Sequence, residues 1–172
     1  TSRRVVDVAK CPIATDAINA AYAGSRKDIR ANPGRFERGA TLLFRDCQEG
    51  VVSDPRQTVT EQVGRVKLKF LAGEFFQNNP SVLEEFVGHA IRLAKASGAK
   101  HLVDTYCGSG LFALSGAREF ESVNGVEVSA EAARKAAENA TLNGFLNCRF
   151  IAGSAESIFA NVPVRGPETA RS

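Results

Sequence analysis

The chain has 172 residues, of which 44% are hydrophobic and 24% charged, and its formal net charge is +3. This composition is ordinary for a globular protein and suits one domain, or one domain with a small appendage. No apolar run approaches the ~20 residues of a membrane span, and the N-terminus has no signal-peptide core. We therefore expect an intracellular protein with no membrane partner. The absence of methionine indicates a processed, trimmed or partial chain.

The cysteines are widely scattered, and none forms a CxxC pair. A self-contained zinc site is therefore not expected, and reduced thiols are favoured over a disulfide framework. They stand at Cys11, Cys47, Cys107 and Cys148.

Positive charge is concentrated near the N-terminus. Residues 1–60 carry ten Lys and Arg against seven Asp and Glu, whereas residues 61–172 carry twelve of each. Such a surplus can face phosphates, but it is equally consistent with a solvated helix and loop, and both interpretations stay open. The densest part consists of Arg26, Lys27, Arg30, Arg35 and Arg38.

The first third of the chain predicts a small α+β segment. A short strand over residues 5–8 precedes a helix from Thr15 to Ile29, with Thr15 or Asp16 as its cap. Alternating or β-prone runs then predict an antiparallel meander with one face buried. Its strands are expected over residues 40–45, 51–52, 58–63 and 66–70. Lys67 and Lys69 should share the solvent face.

The rest of the chain predicts a parallel sheet. An irregular link over residues 73–79 leads into a helix that runs from Pro80 or Ser81 to Ser97. From residue 101 strands and helices alternate, which is typical of βαβ units with right-handed crossovers. Strands are expected over 101–105, 123–128 and 147–152, and helices over 111–119, from the Ser129 cap to Leu142, and over 153–160.

The first of these strands ends in a glycine loop that opens a helix. Asp104 closes the strand, Gly108 and Gly110 permit a tight turn, and the helix exposes unpaired N–H groups to a ligand. Glu127, at the end of the next strand, is placed to accept hydrogen bonds from both ribose hydroxyls of a nucleoside. Simple tight-turn, helix-terminus and surface roles remain alternatives.

Two cofactor classes bind at such a combination of strand end, glycine loop and helix start, which we call the corner. The pattern Gly108-x-Gly110-x-x-Ala113 satisfies a permissive form of the dinucleotide-binding motif, as in NAD enzymes. Asp104 favours S-adenosylmethionine instead, because its carboxylate can hold the ammonium group of methionine but would repel a pyrophosphate. Cys107 sits at a helix N-terminus, where a thiolate is stabilised, yet no histidine is near in sequence, and packing is favoured over catalysis.

Three motifs together carry a family likeness. The segments Phe75-Phe76-Gln77-x-Asn79, Asp104-x-Tyr106-Cys107-Gly108-x-Gly110-x-Phe112 and Gly125-Val126-Glu127 resemble the RNA (uracil-5-)-methyltransferase family. These are class I S-adenosylmethionine enzymes that make 5-methyluridine in tRNA or rRNA. The likeness covers about residues 3–162, and the N-terminal segments are similar to the eukaryotic, especially fungal, tRNA branch.

The resemblance implies roles for further residues. Gln77 would contact S-adenosylmethionine from the link, Tyr106 would lie against it, Glu127 would hold the ribose, and Ser154 would touch the adenine side. Cys11 stands where cluster-bearing relatives have a fourth iron–sulfur ligand. The other three ligands are absent upstream, so neither a cluster nor another metal is expected.

The resemblance also implies what this chain lacks. The family's cysteine nucleophile and glutamate base follow an Asp-Pro-Pro-Arg motif that is not in the sequence. No catalytic residue is therefore predicted, and the chain alone is expected to be inactive. In the class I strand order the first strand would pair with the fourth, so here it is expected to be an edge.

The predicted architecture is therefore an incomplete Rossmann-like class I methyltransferase sheet of three parallel strands, preceded by the α+β segment. We assign residues 1–74 to an RNA-facing segment, 75–162 to the N-terminal half of the cofactor domain and 163–172 to a loose tail. The expected activity is methyl transfer from S-adenosylmethionine to C5 of uridine in tRNA. The alternatives are a non-catalytic S-adenosylmethionine or RNA-binding module, a pseudoenzyme, and an NAD-linked oxidoreductase.

Overall fold

The structure is a computed structural model that describes residues 6–37, 39, 41–77 and 79–156. Contacts divide the chain into two units. The first comprises Thr1–Glu61 and Lys69–Glu74, and the second comprises Gln62–Leu68 and Phe75–Ser172.

The first unit is built around helix α1 (Asp16–Ala31). Thr15 caps it, because its Oγ1 accepts the Ile18 N–H at 3.2 Å, and a 3₁₀ turn at Pro33–Phe36 follows. The cap prediction is confirmed. The strand expected over residues 5–8 is not found at residues 6–8. Instead the Val8 carbonyl accepts the Tyr22 hydroxyl at 2.7 Å, so this segment is bonded to α1 by a side chain.

The strands before residue 75 form two separate two-stranded sheets rather than one continuous meander. β1 (Arg45–Cys47) pairs antiparallel with β2 (Gly50–Val52), and β3 (Thr58–Val63) pairs with β4 (Val66–Leu71). The strand predicted over residues 40–45 is wrong at 41–44, which form no strand, while residue 40 lies outside the described residues. β1 begins at Arg45, and its register with β2 places Cys47 opposite Gly50. The solvent face predicted for Lys67 and Lys69 is confirmed, since β4 alternates buried and exposed residues.

The second unit contains the parallel sheet. Its strands lie in the order β5-β6-β7, both pairings are parallel, and β5 is an edge of this three-stranded sheet. The elements are α2 (Pro80–Ala96), β5 (His101–Asp104), α3 (Leu111–Gly116), β6 (Ser122–Glu127), α4 (Ala130–Leu142) and β7 (Cys148–Ala152). This is the predicted βα succession, with α3 three residues shorter at its end.

Local sequence explains how these helices begin and what they bury. Asn79 Oδ1 accepts the Ser81 N–H at 3.2 Å ahead of α2, and Ser129 Oγ accepts the Ala132 N–H at 3.2 Å ahead of α4. Their buried faces consist of Leu83, Val87 and Ile91 on α2, and of Ala132, Ala133, Ala136, Asn139 and Ala140 on α4. The small residues of α4 allow it to approach the sheet closely.

Two further expectations concern the chain after β7. Ala155 and Glu156 begin the predicted last helix, but its remainder and the predicted tail at 163–172 lie outside the described residues. Within the described ranges, no helix has both the length and the apolar character needed to cross a bilayer.

Candidate cofactor site

The predicted corner lies at the carboxyl ends of two neighbouring parallel strands. Asp104 ends β5 opposite Gly125 of β6, and Glu127 ends β6 two residues later. The loop between β5 and α3 is attached to β6, since the Cys107 N–H donates to the Val126 carbonyl at 3.0 Å. In open α/β sheets, ligands bind in the crevice at this edge.

Asp104 is half-buried and points at the start of α3. Its Oδ2 accepts the Ala113 N–H at 3.2 Å. Burial raises the pKa of this carboxyl, hydrogen bonds from the Tyr106 and Ala113 backbones oppose the rise, and the charge of Glu127 adds to it. The carboxylate therefore caps a helix at an electrostatic cost, which would fall if a cation bound beside it.

Glu127 connects the glycine loop to the start of α4. Its Oε2 accepts the Gly108 N–H at 3.0 Å, and its Oε1 accepts the Ser129 N–H at 2.9 Å. The side chain is half-buried. The structure thus brings together four of the predicted site residues: Asp104, Gly108, Gly110 and Glu127.

Glycine is required at two positions of this site, Gly110 in the loop and Gly125 on β6. Gly110 has φ of 100°, and a Cβ there would lie 3.0 Å from Leu114 Cδ1 and 3.3 Å from Ala136 Cβ. At Gly125 a Cβ would lie 2.4 Å from the Phe150 ring and 2.8 Å from the Cys107 sulfur. Gly125 therefore lets the Cys107 side chain pack beneath the loop.

Asn139 supports the loop and was missed by the sequence reasoning. Its buried Nδ2 donates to the Ser109 carbonyl at 3.0 Å. The signal was an amide at a helical spacing from the apolar alanines of α4, which indicates a buried polar group with a specific partner.

A pocket of about 240 Å³ lies beyond Glu127. The Gly153 N–H donates to the Glu127 carbonyl at 2.9 Å, and the pocket is lined by residues that follow β5, β6 and β7. Two predicted site residues, Tyr106 and Ser154, line it. The full lining is Thr105, Tyr106, Val128, Gly153, Ser154, Ala155 and Glu156.

Glu156 holds the rim of this pocket and was not among the predicted residues. Tyr106 Oη donates to its Oε1 at 3.2 Å. Its pKa is lowered by a backbone hydrogen bond and by the hydroxyls of Ser154 and Tyr106, so Glu156 is an ionised acceptor. The Tyr106 side chain remains 73% exposed and available to a ligand.

Gln77 lies in the link before α2, after the buried Phe76 and the exposed Phe75. It is half-buried and is not among the residues that line the 240 Å³ pocket. Cys107 is buried, and burial, then the charges of Asp104 and Glu127, raise the pKa of its thiol to about 12. The structure therefore supports packing rather than catalysis for Cys107.

The basic cluster near the N-terminus is partly neutralised within its own unit. Arg26 and Arg30 pair with Asp7, and Arg35 pairs with Asp28 at 3.2 Å, whereas Arg38 lies outside the described residues. Over the described ranges, no group of three or more His, Cys, Asp or Glu residues is arranged to hold a metal ion.

The fold is that of class I methyltransferases. The structure of the Pyrococcus abyssi tRNA (uracil-54, C5)-methyltransferase in complex with S-adenosyl-L-homocysteine superposes with a TM-score of 0.68 at 18% identity. The match covers 95% of this chain and 52% of that one. At this identity the likeness concerns the fold.

Sequence comparison gives the family. The family model for tRNA (Uracil-5-)-methyltransferase matches residues 53–165. The chain belongs to this family, as its motifs predicted. It is 43% identical to the tRNA (uracil(54)-C(5))-methyltransferase of Schizosaccharomyces pombe, over 98% of this chain and 34% of that protein. The Saccharomyces cerevisiae enzyme of the same name is 31% identical, over 96% of this chain and 33% of that protein. The chain thus spans about a third of the length of these relatives.

Proposed function

We propose that this chain is the S-adenosylmethionine-binding part of an enzyme that methylates C5 of uridine in tRNA. The family and the names of the fungal relatives support the reaction and the substrate. The observation that carries the cofactor assignment is the pair of carboxylates, Asp104 and Glu127, at neighbouring strand ends around a glycine loop.

The residues at this corner fit an S-adenosylmethionine molecule. Glu127 accepts the two ribose hydroxyls in this proposal, which would replace or supplement its bond from the Gly108 N–H. Asp104 balances the ammonium group of the methionine part. The Asp104 carboxylate would repel the pyrophosphate of a dinucleotide, so Asp104 also argues against NAD, whereas a bond from ribose to Glu127 is common to both cofactors.

The pocket beyond Glu127 suits the adenine. Tyr106 offers an exposed ring, Ser154 offers a hydroxyl, and Ala155 and Val128 offer apolar surface. Gln77 would reach the cofactor from the link before α2. The glycines at 108 and 110 allow the backbone to come close to the ligand.

S-adenosylmethionine supplies an electrophilic methyl group on a sulfonium ion when it is bound. The chain's own residues hold and orient it, and three of its four thiols are poorly suited to act as the family's nucleophile. Burial raises the pKa of Cys47, Cys107 and Cys148 above the ordinary thiol value. This agrees with the expectation that the chain binds the cofactor without completing the reaction.

A binding titration tests the cofactor assignment. Glu127→Gln should weaken S-adenosylhomocysteine binding about tenfold or more, because the charged acceptor of the ribose is lost. Glu131→Gln is the matched control, since Glu131 is a partly exposed residue of α4 paired with Arg134. Equal affinities of the two variants in isothermal calorimetry would reject the role of Glu127.

A methylation assay separates the enzyme from the non-catalytic alternatives. We expect no transfer of a radiolabelled methyl group from S-adenosylmethionine to uridine-containing tRNA by this chain. Clear turnover would contradict the expected inactivity. A full-length gene that encodes Asp-Pro-Pro-Arg downstream would disfavour a pure binding module or a pseudoenzyme.

A further inference from the structure

Two arginines of α1, one turn apart, donate to the same carboxylate. Arg26 donates to Asp7 through Nε, 2.6 Å from Oδ1, and through Nη2, 3.0 Å from Oδ2. Arg30 Nη2 donates to the same Oδ2. We call Arg26 and Arg30 the arginine fork. With Asp7 in place the fork keeps a net charge of +1.

This cluster differs from the other ion pairs of its unit. Lys10 pairs with Asp16, at 3.5 Å, and Arg35 pairs with Asp28, so each of those cations has a carboxylate of its own. In the fork, one carboxylate accepts hydrogen bonds from two guanidinium groups. That carboxylate comes from the segment before the helix, not from α1 itself.

The fork lies at the surface and is accessible to anions. The side chains of Asp7 and Arg30 are 49% and 59% exposed, and that of Arg26 is half-buried at 27%. Ion pairs in such exposed positions contribute little to stability, so an anion from solution can take the place of the carboxylate. The two arginines hold the pKa of Asp7 at about 2, and it therefore stays charged throughout the neutral range.

We propose that the arginine fork binds a phosphodiester of an RNA backbone, and that Asp7 occupies this position in the RNA-free protein. Guanidinium groups recognise planar pairs of oxygens, and the two non-bridging oxygens of a phosphodiester match those of a carboxylate. Lys27, which is exposed and adjacent to Arg26 in the chain, adds a further cation. The inference rests on the RNA substrate proposed above.

Asp7 then competes with RNA for the arginine fork, so removing its charge should raise the affinity for RNA. Asp7→Asn should bind a fluorescein-labelled, unmodified tRNA transcript about three- to tenfold more tightly, because the fork is released. Asp16→Asn is the matched control, since it removes the same charge from another exposed ion pair of the same unit. It should change affinity less than about twofold. Fluorescence anisotropy measures both.

The arginines provide the complementary variant. Arg26→Gln with Arg30→Gln should weaken binding and lower the slope of log affinity against log salt by about 1, the value for one phosphate contact. Lys10→Gln with Arg56→Gln removes two charges from exposed ion pairs of the same unit and should leave more of the slope intact. Circular dichroism confirms that each variant is folded.

The outcomes are distinguishable. If the unmutated chain binds tRNA but Asp7→Asn matches Asp16→Asn, the fork proposal is overturned and the proposed function stands. If Asp7→Asn does not fold, the arginine variant decides, and an unchanged salt slope overturns the proposal. If the unmutated chain binds no tRNA, the fork proposal is overturned, and the RNA substrate proposed for this chain loses support.

Discussion

Asp104 is held where its own charge is unfavourable. Burial and the nearby Glu127 both favour its neutral form, although two backbone N–H groups stabilise the ion in part. A carboxyl in this situation costs the ligand-free protein stability, yet it attracts a cationic ligand. Perturbed pKa values cluster at functional sites, and the raised pKa of Asp104 agrees with the binding role proposed for it.

The stability of Asp104→Asn should change with pH in a defined direction. The folded-state pKa of Asp104 is raised, so the wild-type protein loses stability at this group as pH rises above its unfolded pKa of about 4. The asparagine variant lacks this loss. The stability of the variant relative to wild type should therefore increase from pH 4 to pH 7, as measured by urea unfolding.

The same variant should bind S-adenosylhomocysteine about tenfold more weakly, because the partner of the ammonium group is neutral. Asp16→Asn, which changes an exposed carboxylate, serves as the control in both measurements. A stability difference that is constant with pH would contradict the raised pKa, and unchanged affinity would remove Asp104 from the site.

At the scale of elements, the loop between β5 and α3 shows what sequence can predict. Gly108 and Gly110 follow an apolar strand and precede an apolar helix, so local signals agree on a turn at these positions. Both glycines have positive φ, at 52° and 100°. Asp104 and Glu127 could be placed at strand ends for the same reason. Their hydrogen bonds to the loop could not be predicted from the sequence, because these bonds depend on the sheet register.

Other elements depended on tertiary contacts that the pattern does not contain. Residues 6–8 looked β-prone, but the Val8 carbonyl is taken by Tyr22 of α1. The strand β1 begins only at Arg45, whose guanidinium binds the carbonyls of Ala72 and Glu74 at 2.9 Å. Glu156 escaped prediction because its relation to Tyr106 spans fifty positions in sequence.

A pair of glycine substitutions tests the geometry of the loop. Gly110→Ala should destabilise the protein by roughly 1–3 kcal/mol, because alanine is strained at this φ and its Cβ would crowd Leu114 and Ala136. Gly24→Ala should instead stabilise it by about 0.5–1 kcal/mol, since Gly24 lies inside α1 and an added Cβ meets nothing within 4 Å. Urea unfolding measures both.

The two substitutions are expected to change the free energy of unfolding in opposite directions, and this difference is the test. Both substitutions add one methyl group to the same protein, so a general sensitivity to mutation would destabilise both. Stabilisation by Gly110→Ala would contradict the left-handed backbone at the start of α3.

At the scale of the whole molecule, the proposed cofactor residues all belong to the second unit, and the arginine fork belongs to the first. We therefore propose that the second unit holds the methyl donor and that the first contacts RNA. The chain spans about a third of its fungal relatives, 34% and 33% of their lengths. The role that we propose for this chain is to present the cofactor.

Calorimetric titration of the chain with S-adenosylhomocysteine, and separately with NAD, tests whether the site at Asp104 and Glu127 binds a methyl donor. We expect saturable binding of one S-adenosylhomocysteine per chain and no comparable heat with NAD, because Asp104 favours an ammonium group and would repel a pyrophosphate. Binding of NAD without binding of S-adenosylhomocysteine would contradict it.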